Sequence, residues 1–246
     1  MSEQIEIRQC TSLEDFSACV SLQRVIWREQ DLEVVPDTLF VVAAHTGGQV
    51  LGAFDGGALV GFTLALSALR NGAPYLHSHM TGVHSDYRDR GVGRALKLFQ
   101  RDEALSRDIR LVEWTFDPLE MRNAHFNLNR LGAISRRYLP NLYGITSSPL
   151  HRGLATDRLV AEWYLDSPRV MAALSGEPSA STVSACSIEI PANVEDWKSS
   201  DLPRVQATQS DIAKRFSAAF AKGYAAIGVS KTSSGAAYQL APWSDF

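Results

Sequence analysis

The strongest constraint on the fold is the stretch at residues 83–105, VHSDYRDRGVGRALKLFQRDEAL, where a glycine-rich turn separates a predicted strand from a predicted helix. Two glycines in this turn allow backbone amides to approach a ligand closely, and the first helical turn adds a partial positive charge. Three arginines, Arg88, Arg90 and Arg94, supply further donors. The pattern R-x-x-G-x-G therefore indicates either a phosphate-binding turn or an ordinary strand-to-helix turn with surface arginines.

Two common phosphate-binding motifs do not fit this stretch. A P-loop needs lysine and then serine or threonine after its last glycine, whereas Gly93 is followed by Arg94 and Ala95. A dinucleotide fingerprint needs a third glycine at the position of Leu96, in a βαβ unit near the start of a domain. The stretch instead lies in the middle of a 246-residue chain, and both motifs are excluded.

Composition narrows the classes of partner. The chain has 24 basic and 27 acidic residues and a net charge of −3, which gives no electrostatic basis for binding nucleic acid. Its three cysteines show no metal-binding spacing, and an odd number does not indicate a disulfide framework. We see no signal peptide and no apolar run of about 18 residues. We therefore expect a cytoplasmic protein without a membrane or nucleic-acid partner, and a homodimer is compatible with the sequence.

Hydrophobic periodicity predicts the element order β-α-β-β-β-β-α-β-α, followed by two more strands. This order includes a strand at residues 40–46 (FVVAAHT) and a hairpin that turns at residues 55–57 (DGG). It also includes a helix at residues 121–131 that Gly132 ends. The pattern predicts an α+β fold with a mixed, mostly antiparallel central sheet flanked by helices.

The composition changes after Asp166. Residues 175–185 (SGEPSASTVSA) are small and polar, as in a linker or mobile loop. We predict a main domain at residues 1–166, a linker at 167–185, and a small α/β C-terminal extension at 186–246. About 60 residues form a marginal core alone, so we expect the extension to pack on the main domain or on a partner.

The stretch from Val83 to Gly93 resembles motif A of the GNAT superfamily of acyl-CoA-dependent N-acyltransferases, with Leu96 following on the inner face of the helix. The segment NAHFNLNRLGA resembles the family's fourth-helix signature, and the element order is similar as well. The fragments WTFDPLEMRNAHFN and LATDRLVAEWYL resemble a bacterial subgroup of predicted acyltransferases, some of which acylate amino acids from acetyl- or succinyl-CoA. The resemblance covers about residues 5–165.

This resemblance implies an acyl-CoA co-substrate and no metal. The pyrophosphate is expected on the amides of residues 89–94, and the pantetheine arm on the exposed backbone around Val83. The resemblance also implies Asn123 as a side-chain contact to the CoA arm. The implied cofactor-binding residues are Gly82, Val83, Arg88, Asp89, Arg90, Gly91, Val92, Gly93, Arg94 and Asn123.

Acyl transfer to an amine needs a base, donors for an oxyanion and a proton for the thiolate. Period-two spacing predicts that residues 77, 79, 81 and 83 share one strand face, and the family often takes its base from this strand. His77 and His79 are therefore candidate bases, and Glu113 on the facing strand is a third. For each histidine, an ordinary hydrogen-bonded strand residue is the alternative. A zinc pair is disfavoured because no third ligand has suitable spacing.

The candidate acid is less well defined. The family commonly has a tyrosine four residues before the glycine that ends the fourth helix, but Leu128 occupies that position here. Tyr138 and Tyr143 are substitutes by residue type and neighbourhood, with plain packing as the alternative.

Acceptor binding is predicted from charge. A carboxylate on the acceptor or on a succinyl donor would be held by arginine, and the candidate residues are Arg136, Arg152, Asp157 and Arg158. We therefore expect an N-acyltransferase that uses acetyl- or succinyl-CoA, acts on a small-molecule amine such as an amino acid, and works by direct attack in a ternary complex. The alternative is a non-catalytic acyl-CoA-binding or assembly protein with the same fold.

Overall fold

A computed structural model describes residues 5–27, 33–146, 153–176 and 185–243. The chain forms two compact units, and the division falls between Glu113 and Trp114. Each unit contains β-strands and covering helices, which confirms the predicted α+β class.

The first unit is a sheet with the strand order β1-β2-β3-β4-β5, in which every pairing is antiparallel except that of β4 with β5. Its strands are β1 (Glu6–Gln9), β2 (Gln49–Asp55), β3 (Ala58–Arg70), β4 (Ala73–Val83) and the beginning of β5 (Leu111–Phe116). Its helices are α1 (Leu13–Trp27), α2 (Asp37–His45) and α3 (Val92–Ser106), with a short 3₁₀ turn at Ser85–Tyr87.

Apolar side chains cover both faces of this sheet. On one face, Phe62 packs with Phe16 of α1 and Phe40 of α2. On the other face, Leu51 and Val60 pack with α3 residues. A bulge leaves Val60 without a partner in the β2–β3 register, so Val60 and Phe62 lie on opposite faces. Both layers of helix therefore pack on the same two strands.

The second unit has the strand order β7-β6-β9-β10-β8, with antiparallel pairing throughout. Its strands are β6 (Ile134–Leu139), β7 (Arg158–Tyr164), β8 (Cys186–Pro191), β9 (Tyr224–Thr232) and β10 (Gly235–Pro242). Its helices are α4 (Met121–His125), α5 (Pro168–Ser175), α6 (Val194–Ser200) and α7 (Leu202–Ala221), and a π-helical turn at Phe126–Arg130 continues α4. Trp163, Phe216 and Tyr238 are fully buried here.

One predicted element is wrong. Residues 40–46 do not form a strand, because helix α2 runs through Asp37–His45. Phe40 and Ala43 lie one helical turn apart and are completely buried, so the apolar run serves a helix face rather than a sheet. Short apolar runs fit both structures, and periodicity alone does not separate them.

The predicted C-terminal elements are confirmed as β8, α7, β9 and β10. In the second unit, β9 pairs with β6 at Ser135 and Ala226, so the extension continues the strand order of that unit. The predicted domain limits at 166 and 185 stay a prediction. Helix α5 occupies part of the predicted linker, and residues 177–184 lie outside the described part of the chain.

Candidate active site

The turn between β4 and α3 has a defined backbone. His84 donates its amide to the Val60 carbonyl at 2.9 Å, and the 3₁₀ turn follows. Asp89 then adopts a φ of 59°, and Gly91 adopts a φ of 83° at the N-cap of α3. Aspartate and glycine tolerate this left-handed region better than other residues. The sequence DRG therefore fits the sharp change in direction that starts the helix.

The space in front of the two motif glycines is open. A Cβ on Gly91 would have no heavy atom within 4 Å, and one on Gly93 would meet only Val83 Cγ2, at 3.8 Å. The hydrogen bond from the Ala95 amide to the Gly91 carbonyl is at the start of α3. The amides of Val92 and Gly93 come before it and have no acceptor within the helix. The glycines thus leave room for a ligand against the positive end of α3.

Two of the motif arginines are exposed and rest on neighbouring groups. Arg88 Nε donates to the Val83 carbonyl at 3.3 Å. The Arg90 guanidinium lies 4.6 Å from the centre of the Tyr87 ring. Tyr87 donates its hydroxyl to Asp55 at 2.6 Å, and this hydrogen bond raises the pKa of the tyrosine. The ring is thereby fixed as a platform for the cation.

Strand β4 contains a bulge that changes which side chains share a face. Leu64 of β3 pairs with Met80 and Ala65 pairs with Ser78, so His79 has no partner in this register. The extra residue reverses the alternation beyond it. Val83 accordingly packs with α3, whereas Met80 packs with the cluster under α1 and α2.

The prediction that residues 77, 79, 81 and 83 share one face is therefore wrong. Ser78 is on the α3 face, because its hydroxyl contacts Lys97, and His77 beside it points to the other face with Leu66. Val83 lies on the face that His77 does not share. The residues around His79 alternate as they would in a regular strand, so the sequence did not indicate the bulge.

The predicted bases lie around the last pair of the β4–β5 ladder, in which His77 is opposite Glu113. His77 and His79 have ring centres 6.3 Å apart. His79 keeps access to solvent, yet the surrounding protein lowers its pKa by desolvation. Glu113 is 3% exposed and accepts an ion pair from Arg70, so one of its oxygens is already engaged.

The predicted site for the pantetheine arm is at the far end of β4. Gly82 and Val83 pair with Phe62 and Gly61 of β3. In the described residues of the first unit, the ladder with β5 extends no further than His77. Gly82 also permits close packing on its other side, because a Cβ there would lie 2.8 Å from Ile26 Cδ1.

Lys97, which no sequence motif indicated, is 4% exposed on the sheet-facing side of α3. Its Nζ donates to Ser78 Oγ and to Gln100 Oε1, each at 2.9 Å. Burial lowers the pKa of this ammonium to about 7. A helical-wheel reading would have found it, because Lys97 falls beside the buried positions Leu96 and Gln100.

In the second unit, Tyr138 is tightly engaged. Its hydroxyl donates to Asp157 Oδ2 at 2.6 Å, and its ring stacks on Phe216 with centres 5.7 Å apart. Burial, and then the bond to Asp157, raise the pKa of the phenol. Asp157 is 6% exposed and also accepts the Asn141 amide at 2.9 Å. These contacts give both residues a structural role in the loop before β7.

Tyr143 and Arg158 are more accessible. Tyr143 is 47% exposed and its hydroxyl lies 3.0 Å from that of Thr115. The Arg158 guanidinium lies 5.5 Å from the centre of the Tyr143 ring and donates to the Asp157 carbonyl. The structure thus brings together one predicted acid and one predicted acceptor-binding residue.

Arg136 is held by its own strand pair. It donates to Glu162 Oε2 at 2.7 Å and to the Tyr164 hydroxyl at 2.9 Å, and Glu162 is buried. Burial opposes ionisation of Glu162, but the bonds from Arg136 and Tyr164 outweigh it and lower the pKa of the carboxyl. Arg152 lies outside the described residues.

Helix α4 presents Asn123 to solvent. Leu128, at the position where the family commonly has tyrosine, is completely buried in the π-helical turn. An extra residue in a helical turn shifts the side chains that follow it. This turn was not indicated by the sequence.

The described ranges contain neither a candidate metal site nor a membrane-spanning helix. In residues 5–27, 33–146, 153–176 and 185–243, no three His, Cys, Asp or Glu side chains form a group that could hold a metal ion. Within the same ranges, each helix is either too short or too polar to cross a membrane.

Comparison with solved structures shows the fold. Ribosomal-protein-S18-alanine N-acetyltransferase from Escherichia coli is 15% identical, with a TM-score of 0.54 over 67% of this chain and 96% of that protein. N-acetyltransferase from Staphylococcus aureus Mu50 is 15% identical, with a TM-score of 0.53 over 67% and 100%. The yncA protein from Salmonella typhimurium, solved with its cofactor acetyl-CoA, is 17% identical, with a TM-score of 0.52 over 66% and 95%.

The sequence itself matches a family model. Residues 14–132 match the model of the Acetyltransferase (GNAT) family, and this range includes the turn, β4, α3 and the π-helical segment. No curated protein matches the sequence significantly. Residues 14–132 therefore match a GNAT acetyltransferase domain, as the motif predicted.

Proposed function

We propose that this protein is an N-acyltransferase that takes an acetyl or succinyl group from CoA and transfers it to the amine of a small molecule, such as an amino acid. The observation that carries the proposal is the turn before α3. There Gly91 and Gly93 leave open space at a helix N-terminus, next to exposed arginines, in a chain whose residues 14–132 match the GNAT model. A pyrophosphate is the group that this arrangement suits best.

In this proposal, CoA binds along β4 and the start of α3. The amides of residues 89–94 donate to the pyrophosphate, and Arg88, Arg90 and Arg94 add charge. The backbone of Gly82 and Val83 hydrogen-bonds the pantetheine arm. The open edge of β4 and the space at Gly91 support this placement.

The chemistry is direct attack in a ternary complex. The amine nitrogen forms a bond to the thioester carbonyl carbon, and the backbone near Val83 stabilises the oxyanion. Collapse breaks the C–S bond, so the electron pair leaves with the CoA sulfur. A base accepts the proton released by the amine, and the thiolate takes a proton from an acid or from water.

His79 is the better placed of the two histidine bases. It is exposed, and its lowered pKa keeps the imidazole neutral at pH 7, which is the form that accepts a proton. His77 and Glu113 remain candidates in the same neighbourhood. No acyl-enzyme is invoked, because Cys10 and Cys19 are buried and none of the three cysteines belongs to the motif.

Tyr143 is the better candidate acid. The Tyr138 hydroxyl donates a hydrogen bond to Asp157 and its pKa is raised, so transfer of its proton to a thiolate would be costly. Tyr143 is exposed and shares a contact with Arg158. Arg158 is accordingly the first choice for a substrate carboxylate, ahead of Arg136, Asp157 and Arg152.

The test is thiol release from acetyl-CoA and succinyl-CoA with a panel of L- and D-amino acids, free amines and one unstructured peptide. Saturable release that depends on an amino acid is the expected result. Affinity for CoA without turnover on any amine would instead support the non-catalytic acyl-CoA-binding alternative. Release that depends only on the peptide would assign the enzyme to protein substrates and overturn the small-molecule proposal.

A further inference from the structure

The second unit contains a large cavity that none of the predicted site residues lines. It measures about 800 Å³ and opens to solvent. Helix α4, the segment from β8 into α6, and strands β9 and β10 form its walls. Binding sites for small molecules typically occupy about 300–1,000 Å³, so the cavity is large enough for a ligand.

The lining is mostly apolar, and it includes a row of side chains across three strands. Ala236 of β10 pairs with Ile190 of β8 on one side and with Lys231 of β9 on the other. Paired residues of adjacent strands lie on the same sheet face. Val229, two residues before Lys231, adds to the same face, and Val194 of α6 is buried beside it.

Hydrogen bonds fix the walls in place. Asn129 of the π-helical turn bonds both backbone groups of Val229, accepting its amide at 2.9 Å and donating to its carbonyl at 3.2 Å. Tyr238 donates its hydroxyl to the Pro118 carbonyl at 2.8 Å, which holds β10 to the segment before α4. These bonds hold the walls of the cavity, so binding there requires little reordering.

The charges that line the cavity are arranged asymmetrically. Its two carboxylates, Glu120 and Glu195, both bind the ammonium of buried Lys198, at 2.6 and 2.8 Å. Burial alone would lower the pKa of Lys198, but these two hydrogen bonds outweigh it and raise the pKa. The two carboxylates thus share one ammonium, whereas Lys231 is an exposed cation in the row of side chains on the sheet.

We propose that this cavity is a second binding site for an apolar molecule that ends in a carboxylate. The apolar body lies over Ile190, Val229 and Ala236, and the carboxylate binds Lys231. The site is separate from the turn at Gly91, and it does not depend on the acyl-transfer proposal. It gives the C-terminal extension a ligand-binding role.

The experiment is calorimetric titration of the full chain with 6-phenylhexanoate and with its neutral amide, 6-phenylhexanamide. We expect saturable one-to-one binding of the acid, and binding of the amide weaker by at least about tenfold, since a charge-assisted contact is lost. Absence of saturable binding of the acid, or equal binding of acid and amide, would overturn the proposal.

Two charge-reversal variants test whether the acid binds in this cavity. Lys231→Glu reverses one cation and should weaken binding of the acid at least about tenfold. Lys214→Glu makes the same change at an exposed position of α7 that does not line the cavity, and it should leave binding unchanged. If the two variants behave alike, the acid binds elsewhere and the proposal fails.

A second variant tests the apolar part. Ala236→Phe places a ring in the cavity and should abolish binding, and a thermal melt shows whether the variant is folded. If the variant does not fold, saturation-transfer NMR on the parent chain decides instead. The signal measured is saturation transfer from the protein to the phenyl ring. A signal of equal strength in the parent chain and in Lys231→Glu would contradict the assignment.

Discussion

The turn before α3 and the strand pair β6–β7 both contain arginines and acidic residues, but their side chains have different partners. In the turn, Arg88 and Arg90 are exposed and rest on a carbonyl and on a tyrosine ring. In the strand pair, Arg136 binds buried Glu162, and Asp157 accepts from Tyr138 and Asn141. Similar residue types thus remain available for a ligand in one region and hold the fold together in the other.

Gly91→Val gives the largest expected effect and tests whether the turn before α3 binds a ligand. Valine at a φ of 83° is strained, and its branched side chain occupies the open space, so we expect affinity for acetyl-CoA to fall at least about 100-fold. Calorimetry with acetyl-CoA gives the measurement. Gly57→Val is the matched control, because Gly57 also has a positive φ, 87°, and open space, but lies in the β2–β3 hairpin.

Both variants should lose about 1–3 kcal/mol of stability from backbone strain. Only Gly91→Val should lose the cofactor. Equal affinities in the two variants would mean that the turn is an ordinary strand-to-helix connection.

Lys97 is the exception within the first unit, since it is a cation that the fold buries completely. Its folded-state pKa of about 7 lies below the ordinary 10.5, so between these values the unfolded chain binds more protons than the folded chain. The free energy of unfolding should therefore rise with pH from about 7 to 9.5, by roughly 2–5 kcal/mol in total. Below pH 7 the penalty for burying the charge is fully present.

Urea denaturation at several pH values measures this dependence. Lys97→Met should flatten the rise, whereas Lys214→Met, at an exposed position, should keep it. The absolute stability of Lys97→Met is a poorer readout, because Ser78 and Gln100 lose a donor. An unchanged pH slope would show that Lys97 stays charged in the folded protein.

Tyr138→Phe tests the structural assignment of the second region. It removes the donor to buried Asp157, and we expect a loss of about 1–3 kcal/mol in the free energy of unfolding. Tyr143→Phe is the same change at an exposed residue, and stability should change by less than about 0.5 kcal/mol. Chemical denaturation gives both values. A larger loss from Tyr143→Phe would reverse the roles we assign to the two tyrosines.

Arg90→Ala gives the smallest expected effect. It removes one exposed cation from the turn, and we expect affinity for acetyl-CoA to fall about fivefold, roughly 1 kcal/mol. The difference should shrink as salt is added, because exposed charges are screened. Arg101→Ala, at a position of α3 paired with Asp102, should leave affinity unchanged. Equal affinities for Arg90→Ala and the parent chain would remove Arg90 from the cofactor site.

Much of the fold was predictable because its signals are local. The hairpin at residues 55–57, the amphipathic helix α1 and the four C-terminal elements follow from periodicity and turn residues. The failure at residues 40–46 has a physical cause as well. The apolar run at residues 40–44 is short enough to fit a strand or a helix face, and only the packing of Phe40 and Ala43 against the sheet selects the helix.

The candidate site divides in the same way. The motif at residues 88–93 determines a positive-φ glycine, a helix N-terminus and adjacent cations, and these need only neighbouring residues. Three other features depend on residues at least 13 positions apart in the sequence. They are the bulge at His79, the burial of Lys97 and the hydrogen bond from Tyr138 to Asp157. Such contacts form when strands and helices pack, and they leave no periodic pattern in the sequence. They could therefore not be predicted from it. The sequence alone therefore determined the glycine-rich turn and the match of residues 14–132 to the GNAT model, and the tertiary structure decided which polar side chains remain available for chemistry.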